Sequence, residues 1–397
     1  MNGNETWREG ATLLPDMFAD AGYHCGLVGK LHLAGNDGMV EPQPEGYDFY
    51  EWCHAPRDAW GDANAWTAWM AERSHQLSDF RTDQSGTVPT AYHYTTWCAD
   101  AGRRFIGEEA EEPWLLSVNI YDPHPPFNPP EEYRRRYDPD EVPGPHFRAS
   151  DLEAQERLAE VDFQTEARPP DEFDAREKIA AYYAMIELLD EKVGDLLDEL
   201  ERTGQRENTV VIFMSDHGEM LGDHGLVQKG CRFYEGLTRV PLVISYPREF
   251  ETGVVNDALV ELTDIAPTLI ELCNVNESTT AERFGGMQGE SLVPLLRGKT
   301  DNHRTAVRCG YYHALNPVTR PDSEVFFGTM IRTDRYKLVA YHGHETGELF
   351  DLHEDPHEFN NLWTNPDYRD IKADLLKQNF DRLALAVDRG PEQVGRY

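Results

Sequence analysis

The densest polar cluster in the chain is Ser215-Asp216-His217-Gly218-Glu219-Met220-Leu221-Gly222-Asp223-His224-Gly225, followed four residues on by Lys229-Gly230. A carboxylate beside an imidazole supplies half of a divalent-cation site, because hard oxygen and borderline nitrogen donors both suit such ions. Two donors alone do not hold an ion, and an Asp at this place also caps turns. Lys229 presents a cation on the same loop, where a solvated side chain is the plainer reading. A second group is Asp122-Pro123-His124-Pro125-Pro126-Phe127. Prolines on both sides order the His124 imidazole at little entropic cost and suit it to general-acid work, although a lone loop histidine is more often a surface residue. The third group is Gly29-Lys30-Leu31-His32, whose plain reading is a solvated turn. A lysine is a compact charge suited to an anionic sulfuryl or phosphoryl group, where catalysis is largely positioning and electrostatic stabilisation.

Each group needs an element to aim it. The runs Tyr23 to Val28, Trp114 to Ile120 (WLLSVNI) and Asn208 to Met214 (NTVVIFM) read as strands, the last two as strands buried on both faces. Taken as parallel, these strands deliver Lys30 and His32, His124, and Asp216 and His217 just past their carboxyl ends, where open α/β sheets bind ligands. Helices are predicted from Thr12 to Ala21 with Gly22 as the stop, from Trp60 to Arg73, from Ala91 to Glu109 and from Thr263 to Cys273. The longest apolar period, Ile179, Tyr182, Tyr183, Ile186, Leu189, Val193, Leu196, Leu197 and Leu200, predicts an amphipathic helix ending near Gly204. Residues 47 to 69 form an aromatic insertion suited to shaping a leaving-group pocket, and 131 to 172 a charged surface excursion. After residue 300 the pattern turns to strand alternation, closed by a helix from Asp367 to Val387. The expected fold is α/β, a central mostly parallel sheet flanked by helices, with a small C-terminal antiparallel sheet plus helix. The expected division is a catalytic portion, 1–300, and a small α+β portion, 301–397.

Composition narrows the partners. The chain has 397 residues, with 37 Lys+Arg against 72 Asp+Glu and a formal charge of −35, which argues against nucleic acid and anionic membranes. Only eight of the basic residues are Lys, and an acidic, Lys-poor surface suits solubility at high salt as well as an ordinary acidic protein. No apolar run reaches the roughly 18 residues of a membrane span. The six cysteines contain no CxxC pair, so neither a zinc ribbon nor a thioredoxin site is indicated, and most are expected as buried thiols. The first residues, MNGNETWREG, lack a basic stretch followed by an apolar one, so the expectation with Met1 as the true start is the cytoplasm.

Taken in order, Gly29-Lys30-Leu31-His32-Leu33, Asp122-Pro123-His124-Pro125-Pro126-Phe127, the segment from Ser215 to Gly225, and Lys229-Gly230 resemble the later motifs of the type I sulfatases of the alkaline phosphatase superfamily. Arg332-Thr333-Asp334-Arg335-Tyr336-Lys337-Leu338 and the segment from Glu348 to Pro356 look like that family's small terminal domain. The resemblance implies hydrolysis of a small-molecule or saccharide sulfate ester. It makes Asp216 and His217 ligands of one divalent metal, Ca2+ first, with Mg2+ or Mn2+ as alternatives. Lys30, His32, His124 and Lys229 would hold the ester, His124 would protonate the leaving oxygen, and His224 would be a further substrate contact. The second metal residue is often Asn in the family; His217 there also occurs in the branch acting on phosphonate monoesters and phosphodiesters, which is the alternative activity.

The sequence departs from the family at one point. Members begin with a strand carrying two acidic metal ligands and then a Cys/Ser-x-Pro-x-Arg motif, whose first residue becomes the formylglycine nucleophile; no such motif occurs in the 397 residues. Three explanations stand: an N-terminally incomplete chain, a split enzyme completed by a separate N-terminal chain, and a non-catalytic sulfatase-like protein that binds anions. The first is the expectation, because the strand would lie inside the sheet and its omission would bare backbone and apolar surface. On this reading the chain as given is inactive alone.

Overall fold

Cys25, Leu27 and Val28 are completely buried, which makes β1 (His24–Gly29) a strand covered on both faces. It pairs in parallel with β2 (Phe49–Trp52) on one side. Beyond a two-residue ribbon, β3 (Arg81–Thr82) with β4 (Ser85–Gly86), comes β5 (Trp114–Asn119), which pairs in parallel with the other side of β1. The computed structural model describes residues 13–32, 43–55, 64–82, 85–108, 112–161, 163–275, 287–312 and 327–386. The chain divides into two units, Met1–Pro145 with Arg168–Thr209, and His146–Ala167 with Val210–Tyr397. The expected terminal portion 301–397 falls inside the second.

In the first unit the helix Tyr94–Gly107 packs on β1 and β5, and the helix Ala175–Arg202 packs on that helix. The Phe105 ring stacks on His24 at 5.1 Å and meets Trp114 edge-on at 5.8 Å. The core centres on Trp66, Trp97, Tyr94, Met70 and Cys98, all nearly inaccessible. Truncating either tryptophan would cost about 3–5 kcal/mol in lost burial and cavity. The helix Ala65–Glu72 starts at Asn64, whose side chain accepts from the Thr67 amide at 3.0 Å; the earlier start expected at Trp60 lies outside the described residues. The helix Leu14–Asp20 begins where Asp16 accepts from the Leu13 amide at 2.7 Å, while the expected Thr12 cap lies outside the described residues.

Two expectations are corrected here. All six residues of β5 are half-buried rather than sealed on both faces. Among the described residues it stands last in the strand order β2-β1-β5, with one strand paired beside it where β1 has two. Ile186, placed by its spacing on the apolar stripe, is 41 % exposed; the buried stripe of its helix runs through Ile179, Met185 and Leu188 instead.

In the second unit β6 (Val211–Met214) pairs with β7 (Leu242–Ser245). This pairing is antiparallel, correcting the parallel orientation expected for the NTVVIFM run. Phe213 and Met214 are also 37 % and 48 % exposed, against the buried strand expected. A short apolar run carries no period that distinguishes one buried face from two, nor any mark of pairing direction. Four further strands, β8 (Ala306–Tyr312), β9 (Phe327–Thr333), β10 (Tyr336–His342) and β11 (Gly347–Asp351), form the expected antiparallel meander in the order β11-β10-β9-β8. The helix Arg369–Leu385 packs on β9 and β10. Its core is Ala306, Ile331, Leu338, Leu349 and Leu375. The charged excursion also hides structure, since the helix Ala149–Glu156 buries Asp151 and Gln155. Among the described residues no helix is long and apolar enough to cross a membrane.

Candidate active site

In the first unit Gly29 turns the chain out of β1 with φ +94°, and a Cβ there would lie 2.2 Å from the Asn119 carbonyl. Only glycine fits so close an approach. Lys30 is then pinned on both sides, its amide donating to the Asn119 carbonyl at 2.8 Å and its carbonyl accepting from Asn119 Nδ2 at 2.9 Å. The ammonium lies 5.6 Å from the centre of the Tyr121 ring. His124 meets the same ring at 4.6 Å, so Tyr121 brings Lys30 and His124 together. Tyr121 also donates its hydroxyl to the Pro125 carbonyl at 2.7 Å.

The His124 ring has a defined tautomer. Its Nδ1 lies 2.9 Å from the Pro125 carbonyl, which can only accept, so Nδ1 carries the hydrogen and Nε2 is the nitrogen left for proton exchange. Asp122 supports the loop from below: it is 8 % exposed, accepts from the Thr95 hydroxyl, and lies 3.6 Å from His93 Nδ1. His32 stands edge-on to His54 at 4.4 Å, and the Leu31 carbonyl accepts from the Trp52 indole at 3.1 Å. Tyr121, His54 and the His93–Asp122 pair were not singled out from the sequence. Tyr121 had a signal, its place one residue before the Asp-Pro-His motif; His54 had none, standing in an irregular aromatic stretch.

In the second unit β6 ends directly at the Ser215–Gly218 turn. Gly218 donates to the Leu237 carbonyl at 2.9 Å and Glu219 to the Gly236 carbonyl at 3.1 Å. A Cβ on Gly218 would lie 1.9 Å from the Gly236 oxygen. His217 Nδ1 donates to the Gly218 carbonyl at 2.8 Å, which directs Nε2 and its lone pair outward. The Lys229 ammonium lies 2.6 Å from that nitrogen, and an Asp216 carboxylate oxygen lies 3.7 Å from it. Asp216, His217 and Lys229 are thus brought together. Burial pushes the Glu219 carboxyl up, while the Gln228 and Leu221 amides that it accepts from oppose the rise.

As a metal site the pair fits in kind: a carboxylate oxygen and a neutral imidazole nitrogen are donors for a divalent ion. Among the described residues no group of three or more His, Cys, Asp or Glu converges there, and two donors are fewer than a divalent ion takes. His224, expected to touch substrate, is 4 % exposed. Its ring stacks on Tyr234 at 4.0 Å and its Nδ1 lies 3.5 Å from buried Asp151. In this position it braces the loop from inside.

A family model described as Sulfatase matches residues 6–275, and one described as N-sulphoglucosamine sulphohydrolase, C-terminal, matches residues 222–384. The chain is similar to an arylsulfatase of Clostridium perfringens, 27 % identical over 387 residues, covering 91 % of this chain and 75 % of that protein. It is also similar to an N-acetylglucosamine-6-O-sulfatase of Bacteroides thetaiotaomicron, 31 % identical over 214 residues, which are 53 % of this chain and 37 % of that protein. Among solved structures, a phosphonate monoester hydrolase from Silicibacter pomeroyi superposes with a TM-score of 0.80 at 21 % identity, covering 98 % of this chain and 83 % of that one. That likeness bears out the expected fold class, a mainly parallel sheet flanked by helices and a small antiparallel sheet.

Proposed function

We propose that this chain, which belongs to the sulfatase family, cleaves the sulfate monoester of a small molecule or saccharide with Lys30, His32, His124 and Lys229 as its contacts to the ester. The observation that carries the reading is the Lys229 ammonium 2.6 Å from His217 Nε2, beside Asp216. One loop then holds both a cation for an anionic group and two donors for a divalent ion; Nε2 has a single lone pair, so Lys229 must leave it for the ester when the ion is held. The saccharide part draws on the N-acetylglucosamine-6-O-sulfatase relative. The division at residue 300 into a catalytic and a terminal portion belongs to the same reading.

In its imidazolium form His124 gives the Nε2 proton to the ester oxygen while the sulfuryl group passes to the supplied nucleophile and the sulfur–oxygen bond breaks, so the leaving group departs as a neutral alcohol and the ring keeps its Nδ1 hydrogen. Lys30 and Lys229 balance charge on the transferring group. Asp216 and His217 would hold one divalent ion, which when bound adds Lewis-acid stabilisation there. Ca2+ prefers an all-oxygen shell, so the imidazole donor weighs toward Mn2+. The family's nucleophile motif has no counterpart in these 397 residues, and the reading therefore includes a segment, in the same or a separate chain, that brings it.

A second reading, hydrolysis of phosphonate monoesters or phosphodiesters, is favoured by His217 at the place where Asn is frequent in sulfatases. The test assays the protein, alone and with a supplied nucleophile segment, on an aryl sulfate and an aryl phosphonate monoester with Mn2+ or Ca2+. Faster sulfate turnover supports the first reading and faster phosphonate turnover the second. Sulfate binding by calorimetry without turnover of either leaves an anion-binding protein. No binding and no turnover would end both enzymatic readings.

A further inference from the structure

The sequence singled out Arg332-Thr333-Asp334-Arg335-Tyr336-Lys337-Leu338 without giving it a task. In the second unit Lys337 lies on β10 and is fully buried, the least expected place for an ammonium. Its Nζ donates to the Phe233 carbonyl at 2.9 Å and lies 2.6 Å from Glu235 and 2.7 Å from Glu358. Glu358 in turn accepts from the Glu235 amide at 2.7 Å. Lys337 therefore fixes the start of the short helix Glu235–Thr238 through a carbonyl, a side chain and, by way of Glu358, an amide.

That segment touches the candidate site from two directions. The carbonyls of Gly236 and Leu237 accept from the amides of Glu219 and Gly218, the two residues that follow His217. Phe233 stands four residues after Lys229, so the same ammonium limits where the Lys229 loop can lie. A buried ion pair is weak support for stability, since apolar residues of similar volume often do as well; what an ammonium held by one directed hydrogen bond and two close carboxylates supplies is geometry.

We infer that Lys337 is a positioning residue for Asp216, His217 and Lys229, acting through Phe233, Glu235 and the Gly236 and Leu237 carbonyls. The inference rests on the reading of those three residues as the sulfate and metal site, but its physical content can be measured without any turnover.

The test is amide hydrogen exchange on the full chain, comparing Lys337→Met and Lys337→Arg with the parent. Lys337→Met should speed exchange at Gly218 and Glu219 at least tenfold and leave the helix Ala175–Arg202 unchanged. Lys337→Arg should restore much of the protection. Should Lys337→Met not fold, Glu358→Gln keeps the side-chain shape, weakens one ion pair and is read in the same way. Unchanged exchange at Gly218 and Glu219, or acceleration spread evenly over the chain, overturns the inference. In parallel, with the nucleophile segment supplied, sulfate-ester kcat should fall with Lys337→Met and recover partly with Lys337→Arg. If the exchange pattern holds but the parent, supplied with the nucleophile segment, turns over no sulfate ester, the sulfatase reading of the site fails and the positioning role stands.

Discussion

Lys229 and His217, twelve residues apart in sequence, meet with the lysine ammonium 2.6 Å from an imidazole nitrogen whose partner nitrogen is committed to the Gly218 carbonyl. An ammonium donating to a neutral imidazole keeps its own positive charge, so it remains a counter-charge for an anion. With the nucleophile segment supplied, Lys229→Ala should lower kcat/KM for an aryl sulfate by about a hundredfold or more, the scale for losing one preorganised charge partner. The melting temperature should stay within a few degrees. Kinetics and a thermal melt on the same sample check this, and normal turnover would remove Lys229 from the site.

His124 should matter in proportion to the basicity of the leaving group. With Nε2 as the proton donor, His124→Gln should cost roughly 10²–10⁴-fold on an alkyl or saccharide sulfate and far less on an activated aryl sulfate, whose leaving oxygen needs no proton. The slope of log kcat/KM against leaving-group pKa, steeper in the variant, is the measurement. Equal losses on both substrates would make His124 a binding residue only.

Gly218→Ala introduces a Cβ 1.9 Å from the Gly236 oxygen. The backbone must move, and the amide bonds to Gly236 and Leu237 stretch with it. The expected result is a destabilisation of about 1–3 kcal/mol, the range for strained or broken buried hydrogen bonds, with metal or sulfate affinity falling further than stability does. Chemical denaturation and calorimetry read the two separately.

Cys25 is completely buried, and burial, aided by the nearby carboxylates of Asp48 and Asp16, pushes its thiol up to about 12. The native protein should leave Cys25 unalkylated at pH 9 while the unfolded chain reacts, as mass mapping after iodoacetamide would reveal. The sign follows from the raised folded value: the stabilisation is complete below the ordinary thiol value of 9.0 and is lost as pH rises from there toward about 12. In Cys25→Ala that part of the alkaline loss should vanish.

Arg335 grips Asp351 with contacts of 3.0, 3.0 and 2.6 Å, and this bonding holds the Asp351 carboxyl below its ordinary value of 3.8. A lowered folded value means the stabilisation is present above 3.8 and is lost as pH falls through the folded value beneath it. Asp351→Asn should cost about 1–2 kcal/mol near neutral pH, because Arg335 is half in water. The gap between variant and parent should close in acid, which denaturant titrations from pH 7 down to pH 3 would display.

Elements defined by local chemistry were legible in the sequence. The helix Ala175–Arg202 follows from its apolar period and ends beside Gly204, the β8–β11 meander follows from alternation, and the polar motifs fall just after β1, β5 and β6. Each depends on residues within a few positions of one another, so period, turn residue and motif spacing suffice. The Asp216–His217–Lys229 cluster belongs to this group, because its members share one loop.

What only the tertiary structure decided depends on residues distant in the chain. The antiparallel pairing of β6 with β7, the half-burial of β5 and the interior position of His224 turn on what packs beside them, and no local pattern records a neighbour. Lys337 is the clearest case. In sequence it is one lysine in an alternating strand, and only the fold sets it 104 residues away against the Phe233 carbonyl and between Glu235 and Glu358. Side-chain chemistry is local and was readable, whereas burial and partnership are sums over the whole chain that exist only once it is folded.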